Sequence, residues 1–378
     1  MSFHSLDLNS PTRLFKKLPA AGLLLLAFTC FNSLFAQDTI RTYYDEDSLH
    51  VKEILTKING KAQGEVKLFD LNGKLILIGN LKDDKRNGAF YDLDPDSGDT
   101  LRIIQFRDNL RQGKSQSFYP GGQISQESYF ENNQLEGLVT SYFEDGKISD
   151  QTNFKGNKPD GISQIFYPNG QVKSRISFSS GQYNGLLEEF DEEGNMISST
   201  SYSKGVLNGP ETYYYPNGKV KSQRKFLNGE LDGEYLLYSS DGKIERKAFY
   251  KKGLPEGEML EYYPDGKPKM KAIYSKGSPT QPILFYHENG EVRQRISYDN
   301  SGRKLREENF YPSGKPYSVV PFQNGAENGQ VKILYENGNP KEIRTYKNGR
   351  LDGLQEWYDE NGNLTKSEFY ENGRIVNK

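Results

Sequence analysis

Few residues in this chain could carry chemistry, and their spacing argues against it. The sequence has three histidines and one cysteine, Cys30. His50 and His287 lie far apart, too few for a zinc site without carboxylate help. No Ser–His–Asp or Cys–His constellation is suggested. The acidic pairs Glu188-Glu189 and Glu192-Glu193 would become a glycosidase pair only by an accident of folding. The Asn-Gly and Asp-Gly steps have no strand–loop–helix context, so they cradle no phosphate. The reading is a non-enzyme with no catalytic residues, no metal and no cofactor. Asp45-Glu46-Asp47 reads as a first turn or a charged guard on an open sheet edge.

The residues that recur are structural types, so the elements that position them come next. A formal net charge of −2 has no strong sign and predicts no nucleic-acid partner. A 34% hydrophobic fraction is poor material for a thick core, yet 26 Tyr and 21 Phe need burial or partners. With 38 glycines, this composition predicts thin, repetitive β-structure.

Residues 1–36 read as a secretory signal peptide. Arg13, Lys16 and Lys17 precede an apolar run from Ala20 to Phe31, shorter than the roughly 20 residues that span a bilayer. Leu34-Phe35-Ala36 offers a cleavage site before Gln37. The alternatives are a lipoprotein signal at Cys30, with Thr29 an unfavourable neighbour, and a buried N-terminal helix. Cleavage after Ala36 removes the only cysteine and with it all disulfide chemistry. Localisation is therefore expected outside the cytoplasm: periplasm, cell surface or medium.

From about residue 41 onward the chain keeps a 24-residue clock. One glycine series runs Gly122, Gly146, Gly170, Gly194, Gly218, Gly242 and on to Gly362. A second contains Gly185, Gly209 and Gly233, and a third Gly181, Gly205 and Gly229, with Asn109, Asn133 and Asn157 in phase. Phe178, Tyr202, Phe226, Tyr250 and Tyr274 belong to one aromatic ladder. Phe166, Phe190, Tyr214, Tyr238, Tyr262 and Tyr286 belong to another. A smaller apolar ladder includes Val172, Met196, Val220 and Ile244.

One unit, Leu207 to Gly229, shows the expected geometry. Pro216-Asn217-Gly218 suits a type I turn followed by a left-handed glycine, the three-residue hairpin loop with a G1 bulge. Tyr215 then faces Lys219 and Tyr214 faces Val220. Strict alternation would put Tyr214, Val220 and Phe226 on one face, with Lys219, Lys221, Gln223 and Lys225 solvated on the other. The fold expected is all-β: tandem hairpin repeats in an elongated, twisted antiparallel sheet. Residues 37–59 would form an N-terminal capping hairpin and 60–378 the repeats. A further alternation pairs Pro120, Pro168, Pro216, Pro264 and Pro312 with Tyr119, Tyr167, Tyr215, Tyr263 and Tyr311 at 48-residue steps. Forty-eight residues is also the size of a four-stranded blade, so propeller-like closure is the alternative architecture.

The units resemble a known repeat. Leu351 to Ile375, LDGLQEWYDENGNLTKSEFYENGRI, resembles the MORN-repeat variant of bacterial proteins labelled YwqK-type antitoxins. The shared pattern is Asn-Gly-x-x-x-Gly, an aromatic pair, then Pro/Glu-Asn/Asp-Gly. The chain lacks the GxG of the familiar MORN repeat, since Glu234 and Tyr235 follow Gly233. The resemblance implies a hairpin array, a scaffolding role, less directly lipid binding, and at family level an antitoxin or immunity role.

The expected function is an exported scaffold that binds a protein partner. The alternative is envelope glycan or lipid contact through the aromatic ladder. The clock breaks at Ser278-Pro279-Thr280-Gln281-Pro282, where Gln281 holds a glycine phase, and again at Leu305. A bend or repeat decay explains this, or a docking site. The candidate partner-binding residues are therefore Ser278 to Pro282, His287 (at a turn-flanking position) and Trp357, the only tryptophan.

Overall fold

The computed structural model describes residues 37–376. The residues 1–36 read as a signal peptide lie outside the described residues. The described residues form 34 strands and no helix, counting two-residue segments. Every pairing is antiparallel and joins neighbours along the chain, from Gln37–Tyr43 with Val51–Ile58 to Leu364–Glu371 with Arg374–Ile375. No strand from one end pairs with the other, so the sheet is open and the propeller alternative is corrected. All substantial strand contacts are between near neighbours, so the sheet has no second layer. Asp45-Glu46-Asp47 is the first turn, with the Leu49 amide donating to Asp45 at 2.8 Å.

Two kinds of turn alternate, except at Asp299–Arg303, where the edge opposite the tips carries the tip-type turn, the Asp299 amide donating to Arg303 O at 2.8 Å and the Gly302 amide to Asp299 O at 2.9 Å. At the tips, the Tyr215 amide donates to Lys219 O at 2.8 Å and the Gly218 amide to Tyr215 O at 2.9 Å. Gly218 has φ 78°, as the G1-bulge reading requires. At the opposite edge, Leu227 pairs with Glu230 around Asn228 (φ 51°) and Gly229 (φ 85°). Two positive φ values define a type I′ turn, whose twist suits a tight hairpin.

One sequence expectation fails for an identifiable reason. Tyr214 pairs with Val220 as expected, but Tyr213 pairs with Ser222, leaving Lys221 as an extra residue. A one-residue bulge moves every later side chain to the other face. Val220 therefore shares a face with Tyr214, whereas Ser222, Arg224 and Phe226 share the face of Glu211 and Tyr213. The same shift recurs between Phe166 and Val172 and between Tyr238 and Ile244. The aromatic ladders lie on opposite faces and at opposite ends of the strands. The ladder of Phe226 and Tyr250 is on the inner face. The ladder of Phe166, Phe190, Tyr214, Tyr238, Tyr262 and Tyr286 is on the outer face. Side-chain contacts agree: Arg175, on the outer face opposite Glu188, sits 5.7 Å over the Phe190 ring. Tyr142, one step earlier in that ladder, donates to outer-face Glu127 at 3.4 Å.

Both ladders are half-buried rather than core. Most buried positions lie mid-strand on the inner face, with Thr140 and Thr212 buried on the outer face. They include Ser163, Ser174, Ser198, Thr200, Glu211, Ser222, Ala248, Met270, Ala272 and Ile283. Several buried polar groups there are hydrogen-bonded, as burial requires, whereas Glu211 Oε2 and Arg224 Nε make no hydrogen bond and the two side chains meet only as an ion pair. Ser198 Oγ donates to Glu189 Oε2 at 2.7 Å, and Gln355, 1% exposed, bonds the Thr345 backbone on both its donor and acceptor sides. Met270, Ala272 and Ile283 make the apolar cluster, with Met259, Phe285, Tyr274 and Tyr298 against it.

Candidate binding surface

The recurring residues are spent on joining one hairpin to the next. Tyr215 Oη donates to Tyr238 O at 2.8 Å. The same bond joins Tyr119 to Tyr142, Tyr167 to Phe190, Tyr263 to Tyr286, Tyr311 to Leu334 and Tyr335 to Tyr358. Next to it, Asn217 Nδ2 donates to Ser240 O at 3.0 Å, and its Oδ1 accepts the Lys219 amide. On the other edge the Gly229 amide donates to Leu207 O at 2.8 Å, with equivalents at Gly205, Gly253 and Gly373. Asp232 Oδ2 accepts the amide of Lys252, a non-glycine residue held at φ 52°. Each such bond contributes about 1 kcal/mol, and many in series hold a single-layer array in register.

This accounting places the candidate residues. His287 takes the tyrosine position, and its Nε2 donates to Phe310 O at 3.0 Å, so it is a tip-edge link between hairpins. Ser278-Pro279 pairs with Tyr274 and Ser275, and the Thr280 amide donates to Ile273 O at 2.8 Å. Leu254-Pro255 and Glu256 make the same pairing one unit earlier. The break at Ser278–Pro282 is therefore an ordinary seam between hairpins, whereas at the second break Tyr298 pairs with Lys304 and leaves Leu305 at a bulge. Thr280, Gln281 and Pro282 are exposed there, while Ile283 next to them is buried. Trp357 lies on the inner face three hairpins further on, with Lys366 Nζ 4.7 Å over its ring. The fold does not bring these three places together.

What sequence reasoning missed is a pair of notches on the tip edge. One, of about 410 Å³, is walled by Tyr262, Tyr263 and Pro264, floored by Arg246 and Glu261, and rimmed by Asp241, Lys243 and Lys269. The other, of about 430 Å³, has Phe166, Tyr167 and Pro168 as its wall, with Asp150 and Lys173. The two lie 96 residues apart at equivalent places. Each opens where the preceding hairpin lacks the linking tyrosine, at Phe143 and Ser239, before a hairpin that has it. The 48-residue alternation was the available signal. It reads as ancestry until the tyrosine bond shows what its absence leaves open.

The electrostatics are local. Arg246 Nε donates to Glu261 Oε1 at 2.9 Å in the first notch. Further along the inner face, Arg224 Nη2 lies 2.7 Å from buried Glu211. Burial, and then the Glu211 carboxylate, push the phenols of Tyr202 and Tyr213 above their ordinary value. On the outer face, the Lys114 hydrogen bond holds Glu127 below the ordinary glutamate value, against its own burial.

A single-layer array of near-identical hairpins, stapled at both edges and bearing shallow notches rather than a closed cavity, defines a β-repeat protein. The MORN repeat variant matches ten segments, at residues 62–83, 111–132, 135–155, 159–179, 207–228, 231–252, 255–276, 283–300, 327–348 and 351–372. They cover more than half of the chain, which belongs to the MORN repeat variant family. No curated protein matches it. Among solved structures it is similar to a TcdB2-TccC3-Cdc42 crystal structure, with 12% identity and a TM-score of 0.15. That match covers 89% of this chain and 19% of the other. A Photorhabdus luminescens Tc holotoxin pore with a TccC3 mutation matches at 11% identity and TM-score 0.14, over 90% of this chain and 23% of the other. The chain spans about a fifth of the length of each, and neither likeness carries a functional argument.

Proposed function

We propose that this protein is an exported, non-enzymatic scaffold that binds a protein partner along the tip edge, with the two notches as its anchor points. The observation that carries the reading is the division of labour among positions. Repeated residues are consumed in bonds between hairpins, while the notch floors differ from unit to unit: Arg246 and Glu261 in one, Asp150 and Ile165 in the other. A rigid ruler with unit-specific contacts suits recognition of one partner. Aromatic walls with charged rims suit a protein surface, since aromatic and arginine side chains anchor interfaces. The finer reading is a dedicated, immunity-like partnership with one toxin. Export rests on residues 1–36.

A photo-crosslinking residue placed at Glu245 or Lys173, with Asn228 on the far edge as control, tests the scaffold reading in the native host. One discrete protein adduct from both notch positions and none from Asn228 is the expected result. Equal labelling from all three would refute it. Relief of a neighbouring gene product's toxicity would support the immunity reading, and no relief would sink it. A reporter active only outside the cytoplasm, fused after Ala36, tests export.

A further inference from the structure

We infer that the outer face carries a self-complementary strip through which two copies of this chain pair back to back. On eight successive strands, leaving aside two-residue segments, one outer-face lane reads Tyr129, Leu138, Asn153, Ile162, Ser177, Leu186, Ser201, Pro210. Leu138 pairs with Asn153, Ile162 with Ser177 and Leu186 with Ser201. The large members stand free: Tyr129 is 48% exposed, Leu138 47%, Ile162 52% and Leu186 45%. Apolar knobs thus alternate with small polar gaps, at roughly 9.6 Å from knob to knob.

The order decides the occupant. Turn a second copy about a two-fold axis that runs parallel to the strands, between Ile162 and Ser177. Ile162 then faces Ser177, Leu186 faces Asn153, Leu138 faces Ser201 and Tyr129 faces Pro210. Every knob meets a gap or a proline, as an isologous interface demands. The neighbouring polar lane obeys the same operation. Gln164 meets Arg175 and Gln151 meets Glu188, so no like charges face one another. Lys114 and Lys225 meet only beyond the ends, where Lys114 is held by Glu127 at 2.6 Å. The strip is about 34 Å long and about 10 Å wide, so it buries on the order of 700 Å² in total. Stable specific complexes bury about 1,200 Å² or more, which makes this a weak, reversible dimer.

Sedimentation velocity from 1 to 200 μM tests it. The expected result is a concentration-dependent shift from one copy to two, and a monomer throughout overturns the inference. Ile162→Glu should raise the dissociation constant at least tenfold with an unchanged circular dichroism spectrum. Ser177→Leu separates a zipper from mere stickiness: it adds apolar area but fills the gap that Ile162 needs. Weaker pairing is expected. Stronger pairing, or vesicle binding in place of pairing, would show a sticky or lipid-binding face and overturn the two-fold fit. Leu186→Cys combined with Asn153→Cys, three strands apart within one copy, should form an intermolecular disulfide under mild oxidation, and failure to do so in a dimer would exclude this register.

Discussion

The second glycine series gives the most exacting test of how the hairpins fit. Gly209 has φ 119°, and a Cβ there would lie 2.9 Å from the Cβ of Ser201 on the neighbouring strand. Gly218, at the tip, has φ 78° and open space around it. Gly218→Ala therefore adds only left-handed strain of about 1–2 kcal/mol, offset by about 0.4–1 kcal/mol of lost unfolded-state freedom. A net loss of about 1 kcal/mol is expected. Gly209→Ala adds about 1–3 kcal/mol of backbone strain and about 1–2 kcal/mol of overlap, for a net loss of about 3 kcal/mol. Each repeat touches only its neighbours, so the loss should appear as local opening rather than global unfolding. Native-state hydrogen exchange of amides in Met196–Ser203 and Val206–Tyr214 reads it directly. Ser201→Gly in the Gly209→Ala background removes the overlapping atom. The double-mutant cycle should return a coupling of about 1–2 kcal/mol. A coupling near zero, or equal losses at Gly209 and Gly218, would refute the account of this bulge as a place of close strand approach.

Other expectations follow from the same architecture. Tyr263→Phe removes one bond between hairpins and should weaken the tip at Tyr286 by about 1 kcal/mol in hydrogen exchange, leaving distant tips unchanged. Deleting residues 207–230, one whole period, should preserve the β-sheet spectrum, because Val206 then joins Leu231 in the same phase. Deleting Lys221 alone should not be tolerated: it would turn Ser222, Arg224 and Phe226 outward and open the 207–238 region to proteolysis. Burial raises the Glu307 pKa, but hydrogen bonds from Lys304 and Asn309 outweigh it, so the group lies below the ordinary value of 4.5. A depressed folded-state pKa stabilises the fold above about pH 4.5, and that contribution is lost as pH falls through the folded-state value. Glu307→Gln should flatten the acid limb of denaturant midpoints measured from pH 3 to 6.

Much of the fold was legible because it is periodic. Gly218 and Asn228-Gly229 are demanded by backbone conformation, and a residue required by conformation recurs wherever the turn recurs. The signal for Tyr215 was equally visible, but its meaning was not. A hydroxyl bonded to a carbonyl in the next hairpin needs the relative placement of two units, which spacing alone does not supply. The buried mid-strand positions escaped for the opposite reason. Ser163, Glu211, Ile283 and Gln355 differ in residue type, so no ladder of like residues marks them, and only pairing shows that they share a buried lane. His287 and Trp357 drew attention as rare residues. Rarity does not place a side chain, and both are engaged in ordinary contacts with adjacent strands.

The sequence by itself determined the period, the tip turn and the antiparallel hairpin pairing, because each follows from local conformational preference repeated every 24 residues, whereas the open end of the array was settled by the strand pairing. The tertiary structure decided which face each ladder occupies. A single extra residue, Lys221 in one unit and its equivalents elsewhere, reverses the alternation that a strand otherwise imposes. Nothing local distinguishes a bulged residue from a paired one. The outcome depends on which register best buries Glu211, Ser222 and Arg224 against the neighbouring hairpins, and that is a property of the assembled sheet.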